Sequence, residues 1–283
     1  MSGRQRGIAL ISVLLIMTLA LLITSGLLRS HRLSLQSSGQ QLQQMHLHQL
    51  ATGVETQALL LLQGALQTPA KTVDRTQAWA RMTPELDLED EQVRVSIEDL
   101  AGRFNLNSLL RSGQIDQVTL NRWARLLDLL GLPSLQLDQV GPLRELSQLR
   151  LLPGIDAQML RQLEPWVSML PNDAVLNINT APALVLRTLG EVDASTADAL
   201  VEQGSTTPWT SVQAFTLDPL LSTADLSGHG LGIQSRWYRI TVQVNRDGRG
   251  MRLATDVEFD PDTAQLNVLQ RRFLPSSTYE MAQ

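Results

Sequence analysis

The longest apolar block of the chain lies close to its N-terminus. Residues 8–28 read IALISVLLIMTLALLITSGLL and contain no charged side chain. A helix rises about 1.5 Å per residue, so this block would extend roughly 30 Å, which matches the hydrocarbon core of a bilayer. The pattern therefore predicts a membrane-spanning helix over residues 8–28.

A second helical pattern occupies residues 29–66. Apolar side chains recur three and four positions apart, which is typical of one packed helix face. The predicted stripe consists of Leu47, Leu50, Val54, Ala58 and Leu61. Thr68-Pro69 ends the pattern, because the residue before a proline is biased away from helix. We expect this helix to continue the apolar one beyond the membrane.

Strand patterns appear in two regions that are far apart in the chain. Apolar and polar residues alternate, as they do in strands with one buried face. The predicted core-facing positions are Val93, Val95, Ile97, Tyr238, Ile240, Val242, Val244, Met251, Leu253, Val257 and Phe259. Asp247-Gly248 predicts a hairpin turn, and a last strand over 266–273 completes an antiparallel meander.

Residues 112–226, between the two strand regions, carry helical patterns. One amphipathic helix is predicted from Leu120, Trp123, Leu126, Leu127 and Leu130, and it ends at Gly131 and Pro133. Residues 152–155 join two further short helices. Asn179-Thr180 is predicted to cap another helix, with Pro182 near its first turn. We therefore expect an α-helical insertion within an α+β domain.

Composition and charge exclude several classes of function. The 283 residues contain no cysteine, which excludes disulfides, thiolate metal sites and cysteine nucleophiles. The net charge of −5 and the single lysine, Lys71, argue against nucleic-acid binding through phosphate neutralisation. The sequence lacks the G-x-S-x-G, H-E-x-x-H and G-x-x-x-x-G-K-[ST] motifs, so we predict that the protein is not an enzyme.

The residues before the apolar block separate three interpretations of it. A cleaved secretory signal would have a shorter apolar stretch and a small-residue exit site, and an ordinary membrane anchor would explain the length alone. Met1–Gly7 is short and basic through Arg4 and Arg6, and it ends in Gly7 directly before Ile8. This arrangement resembles the leader of type IV prepilins and type II secretion pseudopilins. The resemblance implies cleavage between Gly7 and Ile8 by a prepilin peptidase, with Ile8 as the mature N-terminus and the helix retained.

The fifth mature position is Ser12, where most members of these families have a glutamate. In the families that carboxylate pairs with the N-terminal amine of a neighbouring subunit during fibre assembly. The K-class minor pseudopilin of type II secretion (GspK) characteristically lacks the glutamate, and this chain resembles that class. Ser12 is then an assembly determinant; the alternative is a small polar residue bonded within its own helix.

The resemblance to the K class extends along nearly the whole chain. SIEDLAGRFNLNSL, ELSQLRLLPGIDAQMLRQLEPWVSMLP and LNINTAPALVLRTL look like segments of that family. It implies an α+β fold: a long N-terminal transmembrane, pilin-like helix, and an antiparallel pseudopilin sheet with a large inserted α-helical domain. The implied division is 1–7 leader, 8–28 transmembrane helix, 29–66 its periplasmic continuation, 67–111 first part of the pseudopilin domain, 112–226 insertion and 227–283 C-terminal meander.

The implied function is that of a minor pseudopilin at the tip of the type II secretion pseudopilus, which helps to initiate assembly and export. The implied partners are the I- and J-class minor pseudopilins, other pseudopilins, the inner-membrane assembly platform and the prepilin peptidase. The protein would be a single-pass inner-membrane protein with its bulk in the periplasm. Two other functions stay open at this point: a minor pilin-like subunit of a type IV pilus or DNA-uptake apparatus, and a periplasmic enzyme or helix-hairpin-helix protein on a plain membrane anchor.

Two further motifs suggest ligands. The L-P-G-I-D and L-G-E-V-D segments resemble helix-hairpin-helix turns. They place Asp156 in the first, and Glu191 and Asp193 in the second, where phosphate would bind, so we expect no nucleic acid there. The acidic cluster of Asp87, Glu89, Asp90 and Glu91 could bind a hard cation, although a solvated loop is the favoured interpretation. The resemblance makes calcium an expected ion, but the EF-hand pattern is absent and the sequence assigns no ligands.

Overall fold

The computed structural model describes residues 3–68, 70–82, 85–88, 91–111, 114–135, 141–152, 154–222, 224, 226–246 and 249–275. Side chains are described over the same ranges, except at residues 3–12, 33, 85–88, 110, 111, 114, 249 and 275. The chain divides into two compact units, Met1–Leu50 and Ala51–Gln283.

One continuous helix, α1 (Gly3–Leu66), occupies the N-terminal part of the chain. It contains the predicted membrane segment and the second helical pattern, and it runs through Gly26, Gly39 and Gly53 without interruption. Each glycine weakens a helix by about 1 kcal/mol, which the leucine-rich surroundings offset. The helix ends just before Thr68, as the following proline predicts.

The main sheet has five antiparallel strands in the order β1-β2-β9-β10-β11. The strands are β1 (Glu85–Leu88), β2 (Glu91–Asp99), β9 (Trp237–Arg246), β10 (Arg249–Asp260) and β11 (Gln265–Pro275). The predicted alternation is confirmed at Val93, Val95 and the β9 positions Tyr238, Ile240, Val242 and Val244, all of which are buried. The meander of β9, β10 and β11 is also confirmed, while the predicted turn at Asp247-Gly248 lies outside the described residues.

The end of α1 buries a stripe that the sequence pattern predicted correctly at Leu47 and Ala58 but one position out of phase at Val54 and Leu61. Leu61 is 45% exposed, whereas Leu62 is fully buried. The buried stripe is Ala51, Glu55, Ala58 and Leu62. The sequence pattern missed this stripe because Glu55 is charged. In the fold, Glu55 Oε1 accepts hydrogen bonds from Thr255 Oγ1 at 2.5 Å and from Arg271 Nε at 2.7 Å. The sheet thus supplies the partners that allow a carboxylate on the buried face.

Short helices form the part of the second unit between the two halves of the sheet. They are α2 (Gln117–Leu129), α3 (Ala157–Leu163), α4 (Ala183–Leu186), α5 (Ala194–Thr206) and α6 (Val212–Thr216). Short 3-10 helices lie at Ala78–Arg81, Leu100–Gly102, Leu106–Leu109, Leu146–Leu151 and Pro219–Leu221. The predicted face of α2 is confirmed, with Trp123, Leu126 and Leu127 buried and Gly131 at φ +65.

Three small strand pairs were not predicted. They are β3 (Phe104–Asn105) with β6 (Val167–Ser168), β4 (Leu110–Arg111) with β5 (Gln114–Ile115), and β7 (Leu176–Asn177) with β8 (Leu231–Gly232). Two-residue strands are too short for an alternating pattern to show. The parallel pairs β3–β6 and β7–β8 join positions far apart in the chain and help to hold the helical part together.

Candidate assembly helix and domain junction

The predicted processing residues lie at the beginning of α1. Gly7, Ile8 and Ser12 are within its helical backbone, but their side chains lie outside the described part of the chain. Cleavage between Gly7 and Ile8 and the assembly role of Ser12 therefore stay predictions.

Beyond these residues, the apolar part of α1 is exposed along its length. Leu15, Ile16, Leu21, Leu22 and Leu27 are each 64–69% exposed, which no water-soluble helix of this composition would favour. The helix has an apolar window of mean hydropathy 2.0 that is nowhere buried, and it is long enough to cross a membrane. These features fit a membrane anchor.

Three hydroxyl groups in the described part of the apolar segment are bonded to their own helix. Thr18 Oγ1 donates to Leu15 O at 2.9 Å, and Thr24 Oγ1 donates to Ala20 O at 2.8 Å. Ser25 Oγ donates to Leu22 O at 3.3 Å. Satisfied hydroxyls can enter a bilayer at low cost, so these polar residues do not oppose a transmembrane assignment.

A buried polar junction connects the sheet with the helical part of the second unit. Asp99, at the end of β2, is 3% exposed. Its Oδ1 accepts a hydrogen bond from Ala101 N at 2.8 Å. Its Oδ2 accepts from Asn177 Nδ2 at 2.8 Å and from Thr180 Oγ1 at 2.6 Å. One carboxylate thus joins the turn after β2 to the turn after β7.

The segment that follows α1 joins the same junction. Asn177 Nδ2 also donates to Val73 O at 2.8 Å, and Arg75 Nη2 donates to Thr180 O at 2.7 Å. Burial raises the pKa of Asp99, although hydrogen bonds from Ser235, Thr180, Asn177 and Ala101 act in the opposite direction. Burial likewise lowers the pKa of Arg75, against the attraction of Glu98 and Asp99. The junction fixes one geometry between its segments, because each buried polar group depends on the others.

The predicted capping role of Asn179-Thr180 is wrong. The residue before α4 is Pro182, which makes no side-chain hydrogen bond to the helix. Asn179 instead exchanges two hydrogen bonds with the backbone of Trp209, at 3.0 Å and 2.9 Å. Thr180 bonds Asp99, a residue 81 positions earlier in the chain. Both side chains therefore hold distant segments together, which short-range capping patterns cannot predict.

The two helix-hairpin-helix-like turns have their acidic residues at helix N-termini. Asp156 Oδ1 accepts from Met159 N at 2.8 Å before α3, and Asp193 Oδ1 accepts from Thr196 N at 2.7 Å before α5. Hydrogen bonds from the backbone and side chains of Thr196 and Ser195 lower the pKa of Asp193. The N–H groups that could bind a phosphate are thus partly occupied by carboxylates of the chain itself.

The candidate cation ligands are only partly described. The side chains of Asp87, Glu89 and Asp90 lie outside the described residues. Glu91 Oε1 accepts from Arg246 Nη1 at 2.9 Å, so an arginine balances this carboxylate. Among the side chains that the structure describes, no group of three or more acidic or histidine residues could hold a metal ion.

Several known proteins resemble this chain. A family model described as type II secretion system (T2SS), protein K, matches residues 176–234, which include Asn177, Asn179 and Thr180. The type II secretion system protein K of Pseudomonas aeruginosa is 28% identical over 94% of this chain and 92% of its own length. That of Klebsiella pneumoniae is 30% identical over 80% of this chain and 83% of its own length.

A solved structure has the same fold. The crystal structure of the GspK-GspI-GspJ complex from the enterotoxigenic Escherichia coli type 2 secretion system contains a chain that matches with a TM-score of 0.69. The match covers 85% of this chain and 100% of that chain at 20% identity. The expected α+β pseudopilin architecture is therefore confirmed.

Proposed function

The chain belongs to the type II secretion system protein K family, the K-class minor pseudopilins, and from that premise we propose that it occupies the tip of the secretion pseudopilus. There it would bind the I- and J-class minor pseudopilins, help to initiate pseudopilus assembly and so support export across the outer membrane. Its role would be assembly and not catalysis, and the prepilin peptidase would act on it as a substrate.

The exposed apolar helix carries the proposed location. A single apolar segment, 8–28, would anchor the chain in the inner membrane, with Arg4 and Arg6 of the leader on the cytoplasmic side. The sheet and the helical part would then lie in the periplasm. In the assembled complex the same helix would pack against the helices of other pseudopilins and the assembly platform.

The helical part supports a position at the end of the fibre. In the described part of residues 117–221, five α-helices are added to a sheet that a simple pilin would present alone. The Asp99 junction holds this added mass in one orientation. A rigid addition of that size would obstruct a further subunit stacked above it, which is expected only at a tip.

The experiment that tests this function combines co-purification with mass measurement. The full chain, expressed with the I- and J-class subunits and extracted in detergent, should co-elute with both. Its intact mass should correspond to a chain that begins at Ile8. A chain that retains Met1–Gly7, or that elutes without either partner, would contradict the proposal.

Ser12→Glu should weaken placement at the tip without preventing cleavage. The new carboxylate can pair with the N-terminal amine of another subunit, which a tip subunit does not require. Unpaired, it costs about 2.5–3.5 kcal/mol in a membrane helix. We expect less secretion and less co-purified I- and J-class protein, while the intact mass still begins at Ile8.

Two variants at the same position separate charge from size. Ser12→Gln should behave more like the wild type than Ser12→Glu does, and Ser12→Ala should leave secretion unchanged. Normal secretion and co-purification by Ser12→Glu would remove the assembly role of this position.

A further inference from the structure

A crevice of about 470 Å³ lies between the outer part of the sheet and the helical part of the second unit. One wall comes from β11 and its neighbours, through Leu269, Gln270 and Arg272. The other wall comes from residues 143–146 and 164–171, which include β6. None of the interactions of the Asp99 junction uses this space.

A β-bulge brings one large apolar side chain to the crevice. In the pairing of β10 with β11, Asp256 faces Gln270 and Val257 faces Val268, so Leu269 has no partner residue on β10. Regular alternation would place Leu269 and Gln270 on opposite faces of the sheet, but both line the crevice. Leu269 is 54% exposed there, a costly arrangement unless another molecule covers it.

Two buried polar atoms of residues that line the crevice have no hydrogen-bond partner among the described residues. They are Ser168 Oγ, on a residue that is 5% exposed, and Arg272 Nε. Both residues line the crevice. A buried donor without an acceptor costs about 1–3 kcal/mol, so a carbonyl oxygen that reached Arg272 Nε after a local rearrangement of the side chain would recover that energy.

The charges around the crevice are balanced. The lining contains three guanidinium groups and three carboxylates: Arg144, Arg239, Arg272, Glu145, Glu164 and Asp256. Arg239 binds Asp256 through two hydrogen bonds of 2.6 Å and 2.9 Å, and Glu145 accepts from Gln270 at 2.7 Å. With three groups of each sign, the lining has no net charge that would select an anion or a cation. An uncharged, hydrogen-bonding occupant with apolar side chains fits better, as a peptide backbone does.

The strand that forms the wall is also at the end of the sheet. β11 is last in the strand order, and within the described residues its ladder pairs with β10 alone. Val268 and Phe273, on the same strand, are 42% and 43% exposed. A strand with one edge left without a ladder partner is a template for a further strand from another chain.

We propose that the crevice beside β11 receives an extended, uncharged segment of a neighbouring pseudopilin subunit. The segment lies along β11, presents a carbonyl oxygen to Arg272 Nε and a polar backbone group to Ser168 Oγ, and covers Leu269 with an aliphatic side chain. This inference rests on the proposed function, because it requires assembly with other pseudopilins.

The cysteine-free chain allows a direct test. Leu269→Cys introduces a single thiol at the crevice, and Leu217→Cys introduces one at a site that is 72% exposed and does not line it. Maleimide alkylation is followed by intact mass on each full chain, alone and in complex with the I- and J-class subunits. The alkylation rate should fall at least about tenfold on complex formation at position 269 and stay within about twofold at position 217. In a separate measurement, Leu269→Asp should weaken co-elution about tenfold relative to Leu217→Asp.

The outcomes distinguish this inference from the function on which it rests. If the complex forms and the thiol at position 269 reacts as fast as before, the inference is wrong and the proposed function stands. If the wild-type chain forms no complex, both fail. A last outcome concerns the C-terminal residues of the chain itself. If the thiol at position 269 is protected in the isolated full chain but reacts in a variant truncated after Pro275, those residues are the occupant and the inference is again wrong.

Discussion

Asp99→Ala is expected to lower the free energy of unfolding by about 3 kcal/mol. The substitution removes the acceptor of the hydrogen bonds from Asn177, Thr180 and Ala101 and leaves these donors buried. Each unsatisfied donor costs about 1–3 kcal/mol, and relief from burying a carboxylate offsets part of the sum. Urea unfolding of the detergent-solubilised full chain, followed by tryptophan fluorescence, measures the change. An unaltered midpoint would mean that water or a rearrangement replaces the carboxylate.

The pH dependence of the matched variant Asp99→Asn tests the electrostatic part of this account. Because burial raises the pKa of Asp99 above its ordinary value of 3.8, the folded state holds the proton longer than the unfolded state. The contribution of Asp99 to stability therefore falls as pH rises from about 3.8 through the folded-state pKa. Asn keeps one acceptor oxygen but points an amide group at buried donors, so it should be less stable than the wild type and more stable than Asp99→Ala.

The difference between the wild type and Asp99→Asn should be larger at pH 4 than at pH 7, since only the wild type buries a charge as pH rises. Comparison with Asp99→Asn isolates the effect of Asp99, because other carboxyl groups act in the opposite direction. Hydrogen bonds lower the pKa of Asp193 and Asp260, so the contribution of these groups to stability increases with pH. Equal differences at the two pH values would contradict the stated cause.

Gly102→Ala should destabilise the same junction by about 2 kcal/mol. A Cβ on Gly102 would lie 2.8 Å from both Thr180 O and Thr180 Oγ1, and 2.9 Å from the carbonyl carbon. These atoms cannot move freely, because Thr180 O accepts from Arg75 and Thr180 Oγ1 donates to Asp99. The turn after β2 and the turn after β7 must therefore separate to admit a methyl group.

Gly141→Ala is the matched control for this prediction. A Cβ built at Gly141 meets no described atom within 4 Å. Alanine at this position reduces the conformational freedom of the unfolded chain, which should leave the stability of the fold unchanged or raise it by about 0.4–1 kcal/mol. The same denaturation experiment compares both variants, and a Gly102→Ala chain as stable as Gly141→Ala would show that the two turns are not held in contact.

The regular elements were predictable because their patterns are local. The alternation of Tyr238, Ile240, Val242 and Val244 and the spacing around Trp123 each depend on residues a few positions apart, and each is confirmed. The small strand pairs were not predictable, since β3 and β6 pair residues more than sixty positions apart over only two residues each.

The candidate sites divide in the same way. The roles of Gly7, Ile8 and Ser12 stay predictions, made from the resemblance of a leader, an apolar block and one missing carboxylate within the first 28 residues. The junction was missed. Asp99 and Asn177 lie in segments that resemble the family, but the residues next to them in the sequence indicate only a turn and a helix cap. Asp99, at the end of β2, forms one site with Asn177 and Thr180 only because the folded chain brings these distant segments together.

By itself, the sequence predicted where a membrane-spanning helix, the other helices and the long strands lie, and its resemblance to known segments indicated the family. The positions of these elements follow from hydropathy and periodicity, which act over one or two helical turns. Only the tertiary structure decided which face of α1 is buried, what Asn179 and Thr180 bind, and that a bulge places Leu269 in a crevice. Each of these depends on hydrogen bonds and packing between segments far apart in the chain, and no local pattern specifies which distant partner a buried polar group will meet.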